Sequence, residues 1–189
     1  KAHHVLLIPE IDMPGHSAAF RKAFGCDMQS PEGTDILKQL LKEICIEIFP
    51  DLPYLHIGTD EVEITNPEFV PEMVQHIRSM GKKVISWNPG YTYHPGEIDK
   101  IQMWSSRGKP LTNTPAIDSR YHYINHFDNF ADLIALYNSN IGNREYEEDN
   151  IIGAIMAVWN DRFVYPEKHI LIENAFYPLM LPFAESSWQ

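Results

Sequence analysis

The stretch Tyr54-Leu55-His56-Ile57-Gly58-Thr59-Asp60-Glu61-Val62 runs from a short apolar strand into two adjacent carboxylates. Residues 54–58 have the length and character of a buried strand, and Gly58 ends it. Neighbouring carboxylates repel each other. Such a pair can divide its titration, so that one group stays protonated near neutral pH while the other is ionised. From spacing alone a functional pair and a bland one, whether loop charges or an acidic helix start, are equally supported for Asp60 and Glu61.

The same pattern recurs on both sides. Upstream, Val5-Leu6-Leu7-Ile8 is a continuous apolar run closed by Pro9 and followed by Glu10-Ile11-Asp12. It reads as a strand buried on both faces. A helix is expected over 34–49, capped by Thr34 or Asp35, with Ile36, Leu37, Leu40, Leu41, Ile44 and Ile48 on one face. Downstream, a helix from Asn66 or Pro67 to Met80 stops at Gly81, and Lys83-Val84-Ile85-Ser86-Trp87 is the next strand. Further strands are expected at 101–104, 120–125 and 151–159, helices at 129–138 and 166–181, and a loop at 142–150.

Strands alternating with helices make a parallel sheet of βα units. A doubly wound sheet marks its ligand crevice with a glycine-rich phosphate turn, and no GxGxxG or P-loop is present. A (β/α)₈ TIM barrel instead gathers functional residues at the C-terminal ends of many strands. The six strands here are followed by Glu10 to Asp12, Asp60-Glu61, Trp87-Asn88, Trp104-Ser105, His126-Phe127-Asp128 and Trp159-Asn160-Asp161. Carboxylates and tryptophans on one rim describe a sugar site, with rings for the apolar sugar face and acids for hydroxyls and chemistry.

The expected fold is therefore an α/β TIM barrel. At roughly 250 residues for eight units, a chain of 189 residues accounts for six. The opening Lys1-Ala2-His3-His4 lies directly before an apolar run. The chain is thus expected to form one partial catalytic barrel domain over 1–189, strands three to eight, with two βα units upstream. No Gly/Ser linker divides it.

Composition narrows the partners. With 15 Lys+Arg against 26 Asp+Glu the formal charge is −11. No basic run is available to neutralise phosphates, which argues against nucleic acid. No apolar stretch approaches the ~20 residues that span a bilayer. Cys26 and Cys45 fit either one disulfide or two buried thiols, and neither has metal-site spacing. Nine histidines raise the question of a metal hydrolase, with His3, His4, His16, His56 and Asp60 as ligands. Adjacent His3 and His4 on a strand would point to opposite faces and could not easily share an ion, so no metal is expected.

His56-Ile57-Gly58-Thr59-Asp60-Glu61-Val62 resembles the His-x-Gly-Gly-Asp-Glu signature of the family 20 glycoside hydrolases, the β-N-acetylhexosaminidases. Pro9-Glu10-Ile11-Asp12-Met13-Pro14-Gly15-His16-Ser17 resembles that family's second signature, one barrel strand earlier. The resemblance implies hydrolysis of terminal β-linked N-acetylhexosamine, GlcNAc or GalNAc, by a substrate-assisted retaining mechanism, an exception to the two-carboxylate scheme. It implies a glycan partner, no cofactor and a secreted, periplasmic or lysosomal setting. Glu61 would be the general acid and base, and Asp60 would hold the substrate's acetamido N–H. Asp12, His16 and His56 would support that pair. For His16 and His56 a purely structural hydrogen bond is the alternative. Trp87, Trp104 and Trp159 would wall the acetamido pocket and stack under the sugar. Tyr123, Asp128 and Asp161 would bind the acetamido carbonyl and hydroxyls.

Four departures from the family pattern stand out. His126 occupies the tyrosine position of a Tyr-x-Asp pair. Asp161 replaces a longer glutamate. Thr59 replaces the second glycine of the signature, and a β-branched residue resists positive φ, so the turn is expected to take an ordinary conformation or to reshape the pocket floor. The arginine that grips the terminal sugar in the family comes from a first strand and has no counterpart here. A non-catalytic carbohydrate-binding barrel and a metal-dependent amidohydrolase are the rival readings.

Overall fold

The structure is a computed structural model that describes residues 5–120, 123–125, 133–142, 150–159 and 176–188. Two compact units divide the chain. The first holds residues 1–101 and 111–114, the second residues 102–110 and 115–189.

The first unit carries helices α1 (Ala18–Phe24), α2 (Pro31–Lys42) and α3 (Phe69–Ser79), and strands β1 (Tyr54–His56) and β2 (Lys83–Asn88). Helix α2 starts before the expected position because Ser30 caps it: its hydroxyl accepts from the Gly33 amide at 3.1 Å, and Pro31 takes the first turn. Thr34 is buried and donates its hydroxyl to the Met28 carbonyl instead. The α-helix gives way to a π-helical stretch, Glu43–Ile48. Buried Lys82 donates its ammonium to the carbonyls of Phe49 and Pro50, which follow that stretch.

Strands β1 and β2 pair in parallel, Leu55 opposite Val84 and His56 opposite Ile85. Helix α3 packs on β2 and against α2. Its buried Phe69, Val70, Met73, Val74 and Ile77 recur at helical spacing, and together with Leu37, Leu41, Leu55, Val84 and Ile85 they form the core. Gly81 ends the helix at φ +76°, as its sequence position predicts.

The expected strand at 5–8 is not formed. The backbone pairs with β1 past the proline: the Pro9 carbonyl accepts from His56 N, Ile11 N donates to the His56 carbonyl and Met13 N to the Ile57 carbonyl, all at 2.9–3.0 Å. Val5, Leu6, Leu7 and Ile8 lie exposed. Apolar content located the run, but the ladder follows backbone donors and acceptors, which here fall on alternate residues from Pro9 to Met13.

Strand β3 (Lys100–Met103) belongs to both units, its first two residues to one and its last two to the other. The strand order is β1-β2-β3 in the first unit and β3-β4-β6 in the second, where β5 and β7 form a separate pair. These are β4 (Ala116–Asp118), β5 (Tyr123–Asn125), β6 (Ile151–Ala154) and β7 (Ala157–Trp159). The sequence reading missed β4 and ran β6 and β7 together. In the structure both strands of this parallel pairing are interrupted: β4 pairs with β6, and β5 with β7. Asp118 is the last residue of β4 before the break. Its carboxylate takes a two-point grip from Arg120, at 3.0 Å each, and a further bond from Gly142 N at 2.9 Å. Burial would raise this carboxyl, but Arg120 and the amides hold it below its ordinary value.

Helices α4 (Leu133–Tyr137) and α5 (Phe176–Trp188) pack together through Leu136, Leu179, Met156 and Phe183. Expected helical residues 129–132 and 166–175, and most of the loop at 142–150, lie outside the described residues. Cys26 and Cys45 are free thiols, and burial pushes the Cys45 thiol up. Among the described residues no helix is long and apolar enough to cross a membrane.

Candidate active site

The turn 58–61 follows β1 and is held open in the left-handed region: Gly58, Thr59 and Glu61 have φ of +66°, +76° and +50°. At Gly58 a Cβ would stand 1.9 Å from an Asp12 carboxylate oxygen, so only glycine fits. Thr59 overturns the expectation of an ordinary conformation. Its backbone is strained, by an amount on the order of 1–3 kcal/mol, and its neighbours retain it there. Asp12 and His16 enter from the segment beside β1, and Trp87 from β2.

Asp60 is 8% exposed, and its Oδ1 has no hydrogen-bond partner among the described residues. Burial first, then the charges of Asp12 and Glu61, push its carboxyl up to about 6. Glu61 is more than half exposed. His16 stands between the carboxylates. Its Nδ1 lies 2.6 Å from Asp12 Oδ2, and its Nε2 lies 3.6 Å from Glu61 Oε2. The bond to Asp12 raises the His16 pKa above its ordinary value. Asp12, His16 and Glu61 thus form a carboxylate–imidazole–carboxylate row with Asp60 beside it. One ligand atom from each of Asp12, His16 and Asp60 falls within 4.8 Å of the others. This trio differs from the metal set considered from sequence, of which His3 and His4 lie outside the described residues.

His56 is buried against Trp87, ring centroids 4.6 Å apart. Its Nδ1 accepts from Gly58 N at 3.1 Å and lies 3.3 Å from Glu10 Oε1, which also accepts the Trp87 indole N–H at 2.8 Å. Burial pushes the Glu10 carboxyl up, but His56 and the indole bring it below its ordinary value. Glu10 was not singled out from sequence. Its signal was present: Glu10 and Asp12 are two apart on an extended segment, so both face the same side.

The first unit therefore brings together Asp12, His16, His56, Asp60, Glu61 and Trp87. Within the second unit, Trp104 follows β3 half-buried and Trp159 ends β7 at 38% exposure. Tyr123 opens β5. Asp128 and Asp161 lie outside the described residues.

No protein-family profile matches the chain. A curated relative, a β-N-acetylhexosaminidase of Cellulomonas fimi, is 26% identical over 148 residues, which are 65% of this chain and 29% of that protein. Three solved structures share the fold. One is a GH20 exo β-N-acetylglucosaminidase of Vibrio harveyi in complex with N-acetylglucosamine (TM-score 0.73, 20% identity, 98% of this chain and 39% of that one). The second is dispersin B (TM-score 0.77, 18% identity, 100% and 74%). The third is a β-N-acetylhexosaminidase (TM-score 0.74, 21% identity, 99% and 53%). The chain thus spans less than a third of the curated relative it matches.

Proposed function

For a chain related to the family 20 glycoside hydrolases, we propose hydrolysis of terminal non-reducing β-linked N-acetylhexosamine by substrate-assisted catalysis. The reading rests most on one observation: a nine-tenths-buried Asp60 oxygen without a partner stands next to an accessible Glu61. A buried acceptor needs a donor, and the substrate's acetamido N–H is one.

In the first step the acetamido oxygen bonds to the anomeric carbon as the glycosidic C–O bond breaks, and the Glu61 proton goes to the leaving oxygen. Asp60 accepts the acetamido N–H and stabilises the positive charge of the oxazolinium-like ring. In the second step water adds to the same carbon, gives its proton to Glu61 and reopens the ring. Asp12 orients His16, and His16 faces Glu61. The same reading assigns Trp87, Trp104, Tyr123, Asp128, Trp159 and Asp161 to sugar contacts.

The proposed frame is a (β/α)₈ barrel of which this chain supplies strands three to eight. The two interrupted strands, β4 with β5 and β6 with β7, count as one barrel strand each, and the 9–13 segment is the third. Exposed Val5, Leu7 and Ile152 are the kind of surface further strands would cover.

The test is the demand for the 2-acetamido group. Aryl N-acetyl-β-glucosaminides are turned over, while aryl β-glucosides, which lack the internal nucleophile, are turned over negligibly. Comparable rates on both would point to an enzyme nucleophile and a different family. A divalent cation on Asp12, His16 and Asp60 is the second reading, favoured by their grouping. Dialysis against a chelator separates the two, since the substrate-assisted reaction keeps its full rate.

A further inference from the structure

We propose that Thr59, Ser86 and Tyr93 form a buried hydroxyl cluster that positions the Asp60-Glu61 pair, with the Thr59 side chain holding its own backbone in the left-handed conformation. The role assigned to the pair rests on the hydrolase reading above; the cluster itself rests on the geometry of the turn.

Thr59 Oγ1 lies 2.5 Å from Ser86 Oγ and 3.3 Å from Tyr93 Oη, and Tyr93 Oη donates to Ser86 Oγ at 3.0 Å. All three residues are buried, Ser86 completely. Ser86 Oγ donates in turn to the Gly58 carbonyl at 2.9 Å. The backbone adds to the clasp: Trp87 N donates to the Gly58 carbonyl at 3.0 Å and Tyr91 N to the Thr59 carbonyl at 2.9 Å. Gly90 admits this approach, since a Cβ there would stand 2.7 Å from the Trp87 carbonyl and 2.9 Å from that of Thr59. Residues 86–93 therefore grip two successive carbonyls and one side chain of the turn immediately before Asp60.

A glycine at position 59 would adopt φ +76° without strain but would offer no hydroxyl. Threonine costs strain and supplies a buried anchor. Burial pushes the Tyr93 hydroxyl up to about 12, so it stays a donor throughout the working range. Ser86 lies one residue before Trp87 and points the opposite way along β2, so this strand presents its indole on one face and its hydroxyl anchor on the other. Thr59 and Tyr93 are positioning residues; neither is assigned a contact with substrate.

The experiment compares Thr59→Val, Thr59→Ser and Tyr93→Phe in the full-length protein. Two aryl N-acetyl-β-glucosaminides are used, one with a good and one with a poor leaving group, and amide hydrogen exchange is measured at residues 58–61. Thr59→Val keeps shape and β-branching but removes the hydroxyl. Small misplacements of a reacting group cost up to about a hundredfold. Thr59→Val and Tyr93→Phe should therefore lose about tenfold or more in kcat on the poor leaving group, which needs the Glu61 proton. They should lose clearly less on the good one, and exchange at the turn should speed up. Thr59→Ser should restore both. A uniform loss on both substrates, or unchanged exchange in Thr59→Val, overturns the proposal. If the wild type hydrolyses neither compound, the hydrolase reading fails, and exchange alone decides the cluster: faster in Thr59→Val and restored in Thr59→Ser supports it, anything else overturns it.

Discussion

The Trp87 indole N–H donates to Glu10 Oε1 at 2.8 Å, tying β2 to the segment that runs beside β1. The same oxygen lies 3.3 Å from His56 Nδ1. One carboxylate thus fixes the tryptophan assigned to the acetamido wall and stands beside the histidine packed against that ring. Glu10 stays ionised because those partners outweigh its burial.

Glu10→Ala is expected to loosen the hold on the Trp87 ring while leaving Asp60 and Glu61 in place. A hydrogen bond to a charged group contributes about 1.5–3 kcal/mol, so binding of N-acetylglucosamine-type inhibitors should weaken about tenfold or more, with a larger change in KM than in kcat. Glu10→Gln, which retains an acceptor, should recover most of the loss. Unchanged inhibitor binding in Glu10→Ala would remove Glu10 from the support of the wall.

Glu61→Gln should cut hydrolysis of aryl N-acetyl-β-glucosaminides by orders of magnitude when the leaving group is poor, because general acid catalysis contributes roughly 10²–10⁴-fold. Substrates with good leaving groups need no proton in the first step and should lose much less. Equal losses on both would take the acid role away from Glu61.

His16 is held by Asp12 at 2.6 Å and faces Glu61 at 3.6 Å. With its pKa raised by Asp12, its positive charge persists to higher pH than in a free histidine. Asp12→Asn removes the partner that raises it, so the imidazole should lose its proton at lower pH. The His16 ring signals in an NMR titration should shift their midpoint downward, and the acidic-to-neutral activity profile should move with them. A midpoint that stays fixed would mean that Asp12 does not set the state of His16.

Much of this site was legible because chemistry and spacing coincide. The Asp60-Glu61 pair and the segment with Asp12 and His16 each sit where an extended segment ends, and local sequence sets that placement. The less legible parts depend on contacts between distant residues. Glu10 takes its importance from Trp87, 77 positions away. Thr59 was expected to refuse positive φ, because the intrinsic preference of a β-branched residue says so. Its actual φ of +76° is stabilised by Ser86 and Tyr93, which no window around Thr59 contains. The break between β4 and β5 falls at the Asp118–Arg120 ion pair and its bond to Gly142, a contact across the chain that no local pattern contains, whereas the apolar pattern alone suggested one strand at 120–125. The run at 5–8 is the converse case: strongly apolar, yet without a hydrogen-bonded ladder among the described residues.

Asp60 offers a stability test that is independent of turnover. Its carboxyl is pushed up from an ordinary 3.8 to about 6, by burial first and then by the charge of Asp12. A group whose folded pKa is raised favours the fold while protonated. The wild type is therefore most stable, as far as this group is concerned, below about pH 4 and loses that contribution as pH rises through about 6. Asn cannot ionise, so Asp60→Asn should lack this pH-dependent loss. Above about pH 6 the variant should be the more stable protein, by on the order of 3 kcal/mol, although under the proposed mechanism it would no longer stabilise a positive ring. The same variant should bind a thiazoline analogue of the oxazolinium intermediate much less well than the wild type. Thermal unfolding of both proteins between pH 4 and 8, paired with inhibitor titrations at pH 7, measures the two effects on one sample. Parallel stability curves would mean that Asp60 is not desolvated in the fold, and unchanged thiazoline binding would mean that its charge does not face the sugar.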